Sequence, residues 1–436
     1  MSPRTHRTLR IAPLAAAVAL ASVLVLPASL AQPSQVPETQ VWIDVATHTF
    51  AGMPDMGALG GLAGMMGGAQ KGLHYPTALN PPSSGQFLDI AMHNSLRPGV
   101  EAQQAIPGGL KLGKALPLVP PLAPVQDYEP GVVTQGNQKM PDAEMTILEY
   151  WGCGDTVRPG QPKTFKMKFK DGKLESSGSM SQQRLAPARD IGVTPAYVVW
   201  PNRKHDKRVP NGALLAGQHR ITGTDVPASL QFDLGGNAEF MPKIALKTSG
   251  QATDAMALSW QPVDRARAYF LNAIGAQSQT TMVFWSSAES AGAGHELQQY
   301  LSGSYVDRWL KEKVLLPPSA TNCTIPKGIF ASAGGDPAQG GMGGMATLNM
   351  IAYGPETHRV WPPKPTDPEE LKKWDPEWNL RVRTKSTASA MLGMDFGGGF
   401  EGMQPEPQSD DDTGDQPQEK HEGTGKKLLK GILRNL

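Results

Sequence analysis

Between residues 145 and 285 the chain is cut into short β-forming runs, and this punctuation constrains the fold more than any other feature. Residues 145–151 are apolar and β-rich, and 164–169 alternate strictly before Asp171 and Gly172, a turn pair. The run at 197–200 stops at Pro201 and the run at 230–234 stops at Gly235 and Gly236. Residues 256–260, 268–274 and 281–285 continue the pattern. Runs this brief, separated by turn residues, predict sheets packed as sandwiches. With 48 Gly and 39 Pro, part of the chain must also be irregular.

The expected fold is therefore mainly β, with one or two β-sandwich-like domains, a few short helices and disordered low-complexity flanks. Residues 86–250 form the first β-rich domain in this reading, and 251–385 form a second sandwich-like region. The repeated prolines of 105–124 imply extended chain, because Pro fits neither helix interiors nor central strands. Leu297, Tyr300, Leu301, Tyr305, Trp309 and Leu310 recur at helical spacing, which predicts a helix near 295–312 with Gly303 weakening its centre. Asp367 followed by Pro368, Glu369 and Glu370 is a helix start, with Asp as the cap.

The ends differ in texture. Arg4, Arg7 and Arg10 precede an apolar run from 11 to 27, and Ser29 to Ala31 offers small-x-small spacing, so 1–31 reads as a secretory signal peptide. The expected location is the periplasm, the outer envelope or the medium. Residues 32–85 read as a Gly/Met-rich linker and 386–436 as a disordered acidic tail ending in a short basic amphipathic helix. Without the first 31 residues the charge is about −2, too small to attract nucleic acid. The two cysteines, Cys153 and Cys323, form an even pair, which an oxidising compartment turns into one disulfide.

Residues 256–274 carry Trp260, Pro262, Val263, Ala266, Ala268 and Tyr269. In this order they resemble the hairpin between the second and third strands of fibronectin type III and related immunoglobulin-like sandwich modules. The resemblance implies a sandwich core built on Trp260 and Tyr269 and an adhesive or spacer role, with no chemistry attached.

Catalytic patterns fail at decisive positions. His295-Glu296 begins a zinc-protease motif, but Gln299 stands where the second histidine must be. Gly108 to Lys114 spell most of a phosphate-binding loop, and Ala115 replaces the hydroxyl that would hold magnesium. No GxSxG elbow occurs. Asp225, Asp233, Glu239 and Asp264 remain as carboxylates for a hydrolase of envelope polymers, if two of them converge. His205, His219 and His358 are scattered and read as surface or hydrogen-bonded residues.

The pairs Met53/Met56, Met342/Met345 and Met391/Met394 offer spaced thioethers, soft ligands that suit Cu(I), although Met also serves as flexible apolar filler. No cofactor motif is present. At the carboxyl end, Leu428, Leu429, Ile432, Leu433 and Leu436 share one helical face, with Lys426, Lys427, Lys430 and Arg434 elsewhere. Such a segment can dock on a partner groove or make peripheral contact with an anionic membrane. Trp361, Trp374 and Trp378 offer either a ligand platform or a structural clamp. The composite expectation is an exported, non-catalytic envelope protein with a structural or binding role, a hydrolase or a Cu(I)-binding protein being the alternatives.

Overall fold

A computed structural model describes residues 36–51, 73–121, 143–170, 173–186, 190–331 and 346–393. The signal segment, the terminal helix at 426–436 and Met53, Met56, Met342, Met345 and Met394 lie outside the described residues.

The chain is mainly β. Its strands are β1 (Thr39–Phe50), β2 (Gly85–Asn94), β3 (Ala102–Ala105), β4 (Ala115–Leu118), β5 (Ala143–Trp151) and β6 (Lys163–Lys170). There follow β7 (Lys173–Gly178), β8 (Tyr197–Trp200), β9 (Gly217–Gly223), β10 (Gln231–Leu234), β11 (Lys247–Ser249) and β12 (Met256–Ser259). The last are β13 (Ala268–Ser278), β14 (Thr281–Ser286), β15 (Asn322–Ile325), β16 (Ala346–Trp361) and β17 (Trp378–Leu392). Two short helices, α1 (Gly303–Lys311) and α2 (Pro368–Leu371), are present among the described residues.

A ten-stranded sheet in the order β7-β6-β5-β14-β13-β16-β17-β1-β2-β8 is the backbone of the molecule. The pairs β1/β17 and β5/β14 are parallel and the others antiparallel. Period-two alternation gives this sheet an inner face that is largely apolar and free of charged side chains among the described strands β1, β2 and β17. Val41, Ile43, Val45, Leu88, Ile90, Leu380 and Val382 pack there against Leu116, Leu118, Ile221, Phe232 and Leu234 of a four-stranded sheet, β10-β9-β3-β4. Further along, Leu271, Ala273, Val283, Trp285, Leu348 and Met350 pack against Met256, Leu258 and Ile325 of a three-stranded sheet, β11-β12-β15. Two sandwich halves thus share one long sheet, the sheet-on-sheet arrangement that alternating strands favour. Pro117 falls in β4, an edge strand, where its missing N–H is tolerated.

Several expectations are corrected. Residues 39–50, read as linker, form β1 between β17 and β2, because their alternating apolar side chains fill the inner core. The second β region does not end at 385, since β17 runs on to Leu392. The stretch beginning at His295 is a single 3-10 turn to Gln298, extended chain follows, and the helix starts only at Gly303. Ser302 is extended, and a Cβ at Gly303 would fall 2.5 Å from the Arg267 guanidinium, so this glycine allows a close approach at a helix start. β12 and β13 belong to different sheets. Trp260 and Tyr269 still meet edge to face at 5.6 Å, and Val263 N donates to Tyr269 Oη at 2.9 Å. Asp367 caps α2 by accepting from the backbone of Glu369 and Glu370, with Pro368 in the first turn.

A disulfide joins Cys153, just past β5, to Cys323 of β15, with Cα atoms 5.2 Å apart. It ties the long sheet to the three-stranded sheet and places the protein in a non-cytoplasmic, oxidising compartment. No helix among the described residues is long and apolar enough to cross a membrane.

Candidate functional site

The outer face of the long sheet carries what the inner face excludes. Along β17, Arg381, Arg383 and Lys385 alternate with Val382 and Thr384, so their side chains leave by the outer face. Register aligns them with neighbours in rows. Glu356, Arg383, Asp44 and Asp89 stand side by side on β16, β17, β1 and β2. The row beyond is His358, Arg381, Trp42 and Ala91, and then Asn379, Gln40, His93 and Tyr197.

The first row is a buried ionic seam. Arg383 Nε and Nη2 donate to Asp44 Oδ1 and Oδ2 at 2.7 and 2.5 Å, and Nη2 also reaches Asp190 Oδ1 at 2.8 Å. The guanidinium lies 4.4 Å from the ring centre of Tyr300. Burial pulls against its charge, yet the hydrogen bonds and charges of Asp44 and Asp190 outweigh this and hold Arg383 above its usual range. Lys385, 1% exposed, donates to Leu79 O at 2.7 Å and Gln298 O at 3.4 Å and faces the Tyr300 ring at 4.6 Å. Burial brings its pKa down to about 7, against the opposing pull of Asp44. Asp89 accepts from Thr77 N, Thr77 Oγ1 and Ala78 N, and burial pushes it up to about 7 in spite of those donors. His48, hydrogen-bonded to Thr387 Oγ1 at 2.8 Å, is brought down to about 4 by burial and by Lys385.

These contacts pin two irregular segments to the sheet, 75–80 through Asp89 and Lys385, and 298–300 through Lys385 and Tyr300. The Tyr300 hydroxyl, buried beside the seam, has no hydrogen-bond partner among the described residues. Asp44 and Asp89 are facing carboxylates of the kind a hydrolase needs. Each of their four oxygens, however, already accepts a hydrogen bond from the protein, and Lys385 is directed at two carbonyls. The seam is therefore committed to holding structure.

Next to it the surface opens. Trp42, His93, Tyr197 and Arg381 are half-buried, and His358 is largely exposed and sits 3.0 Å from Glu356. The small Ala91 lets Trp42 lean across β2 towards Tyr197, with ring centres 5.8 Å apart, and Tyr197 meets His93 at 5.0 Å. Burial and the neighbouring Arg383 lower the pKa of Arg381. The arrangement offers aromatic faces and a guanidinium on a rigid floor.

None of these positions was singled out in the sequence except His358. The sequence-derived carboxylates are engaged elsewhere. Asp225 pairs with Arg97 at 2.6 Å, Glu239 accepts from Leu215 N, Ala216 N and Phe240 N, Asp264 pairs with Arg265, and Asp233 is exposed on β10. His219 is a satisfied core residue between Gln104 and Leu215 O, and His205 accepts from Trp200 Nε1. The loop at 108–113 turns into β4 with no helix after it, as a phosphate loop would require. Trp378 is buried and donates to Ser229 Oγ, with the exposed Trp361 stacked on it, while Trp374 donates to Pro362 O. Met391 is half-buried on β17 and accepts weakly from Thr347 Oγ1. Among the described residues no cluster of three or more His, Cys, Asp or Glu could hold a metal. No family model, curated protein or solved structure matches this chain.

Proposed function

We propose that the protein is an exported, non-catalytic binding protein of the cell envelope. Its ligand is an anionic saccharide segment, received on the outer face at Trp42, His93, Tyr197 and Arg381. One observation carries this reading: Trp42 stands in register beside Arg381 and within ring contact of Tyr197. Aromatic faces stack on the apolar faces of sugar rings, and a guanidinium matches carboxylate geometry. The seam beneath supplies rigidity, which limits the entropy lost on binding. The disulfide fits work in an oxidising envelope compartment.

The test is calorimetric titration with an oligogalacturonate as the acidic probe and maltohexaose as the neutral one. Preference for the acidic oligomer by tenfold or more is expected, reduced at least tenfold by R381Q and abolished by W42A. Absence of binding to both probes, or binding indifferent to these substitutions, would overturn the assignment. Release of reducing ends from the acidic oligomer would show that the protein is an enzyme after all.

A further inference from the structure

At the β7 end of the long sheet the outer face changes character. Strands β5, β6 and β7 project Met145, Ile147, Phe165, Met167, Phe169 and Leu174 on this side, and register joins them to Met282 and Phe284 of β14 and Ile274 of β13. Met145, at 44%, and Leu174, at 67%, are exposed, and the others are half-buried. The cover supplied by 181–184 and 290–294 stops at Glu149, whose carboxylate accepts from Ser181 and Gly292. Past that point the outward side chains are half-buried or exposed.

We infer that this face is an interface between two copies of the chain, packed sheet to sheet about a two-fold axis. Five strands at ~4.8 Å spacing, carrying one to three outward apolar residues each at ~6.8 Å steps, make a patch of at most roughly 24 by 17 Å, about 400 Å² in projection. This estimate ignores side-chain relief, which raises the accessible area further. Two such faces approach the ~1,200 Å² at which stable interfaces begin. A patch of this size is comparable to the largest that a typical monomer leaves exposed, and such patches are often functional. A two-fold contact sets the same patch against itself, so any net charge on the face would repel its copy. Its interior is apolar, and at its border Lys163 stands opposite Glu149. Lys166, Lys168, Lys170 and Lys173 of the same strands project from the other face. An anionic bilayer lying on the apolar face would find those cations on the far side of the sheet, which favours a second copy over lipid.

The test is sedimentation equilibrium of the secreted chain from 1 to 100 μM, with M167E and L174E beside the wild type. A wild-type dimer is expected, with dissociation at least 100-fold easier in M167E while circular dichroism and the thermal midpoint stay unchanged. A wild type that remains monomeric at 100 μM overturns the inference. So does a dimer that neither substitution weakens. Flotation with phosphatidylglycerol vesicles separates the competing occupant: monomer carried to the vesicle fraction and released by M167E would give the face to the membrane instead.

Discussion

Lys385 provides the sharpest check on the reading of the seam. In the folded chain its ammonium lies against two carbonyls and one ring, and burial brings its pKa from 10.5 down to about 7. Below pH 7 both folded and unfolded chains hold the proton, and the native state bears the full cost of a buried charge. Between 7 and 10.5 the unfolded chain keeps a proton that the native state has released, so stability rises with pH. The whole displacement corresponds to about 5 kcal/mol, and linkage places about 3 kcal/mol of it between pH 6.5 and 9.5. K385M removes the titration. Urea denaturation followed by tryptophan fluorescence, run on both proteins at pH 6.5, 8 and 9.5, measures the difference in unfolding free energy. Groups common to the two proteins, Asp89 included, cancel to first order in that difference. The wild type should gain about 3 kcal/mol on the variant across this range. Parallel curves, agreeing within about 0.5 kcal/mol, would refute the claim that Lys385 titrates as a buried amine.

Three other perturbations address the same framework. Replacing Cys153 and Cys323 by Ser opens a loop spanning 170 residues, for which the chain-entropy model gives about 5 kcal/mol; a loss under 1 kcal/mol in urea would show the bond to be energetically idle. R383M leaves Asp44 without its bidentate partner and should cost about 3–5 kcal/mol at pH 7, with D44N in the same chain recovering part of it. His48, lowered to about 4, gives a native state that takes up its proton later than the unfolded chain, so its contribution is lost as pH falls from 6.5 to 4. Asp89, raised to about 7, acts in the opposite sense over that window. The wild type should therefore lose up to about 3 kcal/mol relative to H48Q on acidification, as read from thermal midpoints.

What the sequence disclosed was local, and what it concealed was long-range. Alternation at 164–169 and the stops at Pro201 and Gly235 announced real strands, because side-chain period and turn chemistry act within a few residues. The disulfide is long-range but was legible for a different reason, since two cysteines admit only one intramolecular pairing. The parallel pairing of β1 with β17 joins positions 339 residues apart and leaves no local mark. Asp44 was consequently taken as part of a linker, and the strand carrying Arg381, Arg383 and Lys385 was ended at a supposed boundary just past Lys385. A period-two row of cations flanking Val382 was the available signal, since charges spaced that way on a buried strand require partners. The motif beginning at His295 misled because its helical spacing persists through a turn that the backbone interrupts at 299–302.

The covered part of the outer face is charged in one place and apolar in another, and the kind of cover explains this. Residues 75–80 and 299–302 are irregular, so their backbone groups cannot satisfy one another. The sheet must provide donors and acceptors, which it does through Lys385 to Leu79 O and Gln298 O and through Asp89 to Thr77 N and Ala78 N. α1 satisfies its own backbone and needs no such help, and beneath it the sheet shows Phe270, Ile351 and Tyr353 packed with Val306 and Trp309. Polar positions on this face thus mark irregular cover, and apolar positions mark cover that is internally hydrogen-bonded. By that rule the field at Met145, Phe165, Met167 and Phe169 calls for a regular element with its own hydrogen bonds closed. A sheet of matching width meets that requirement, and every copy of this chain carries one.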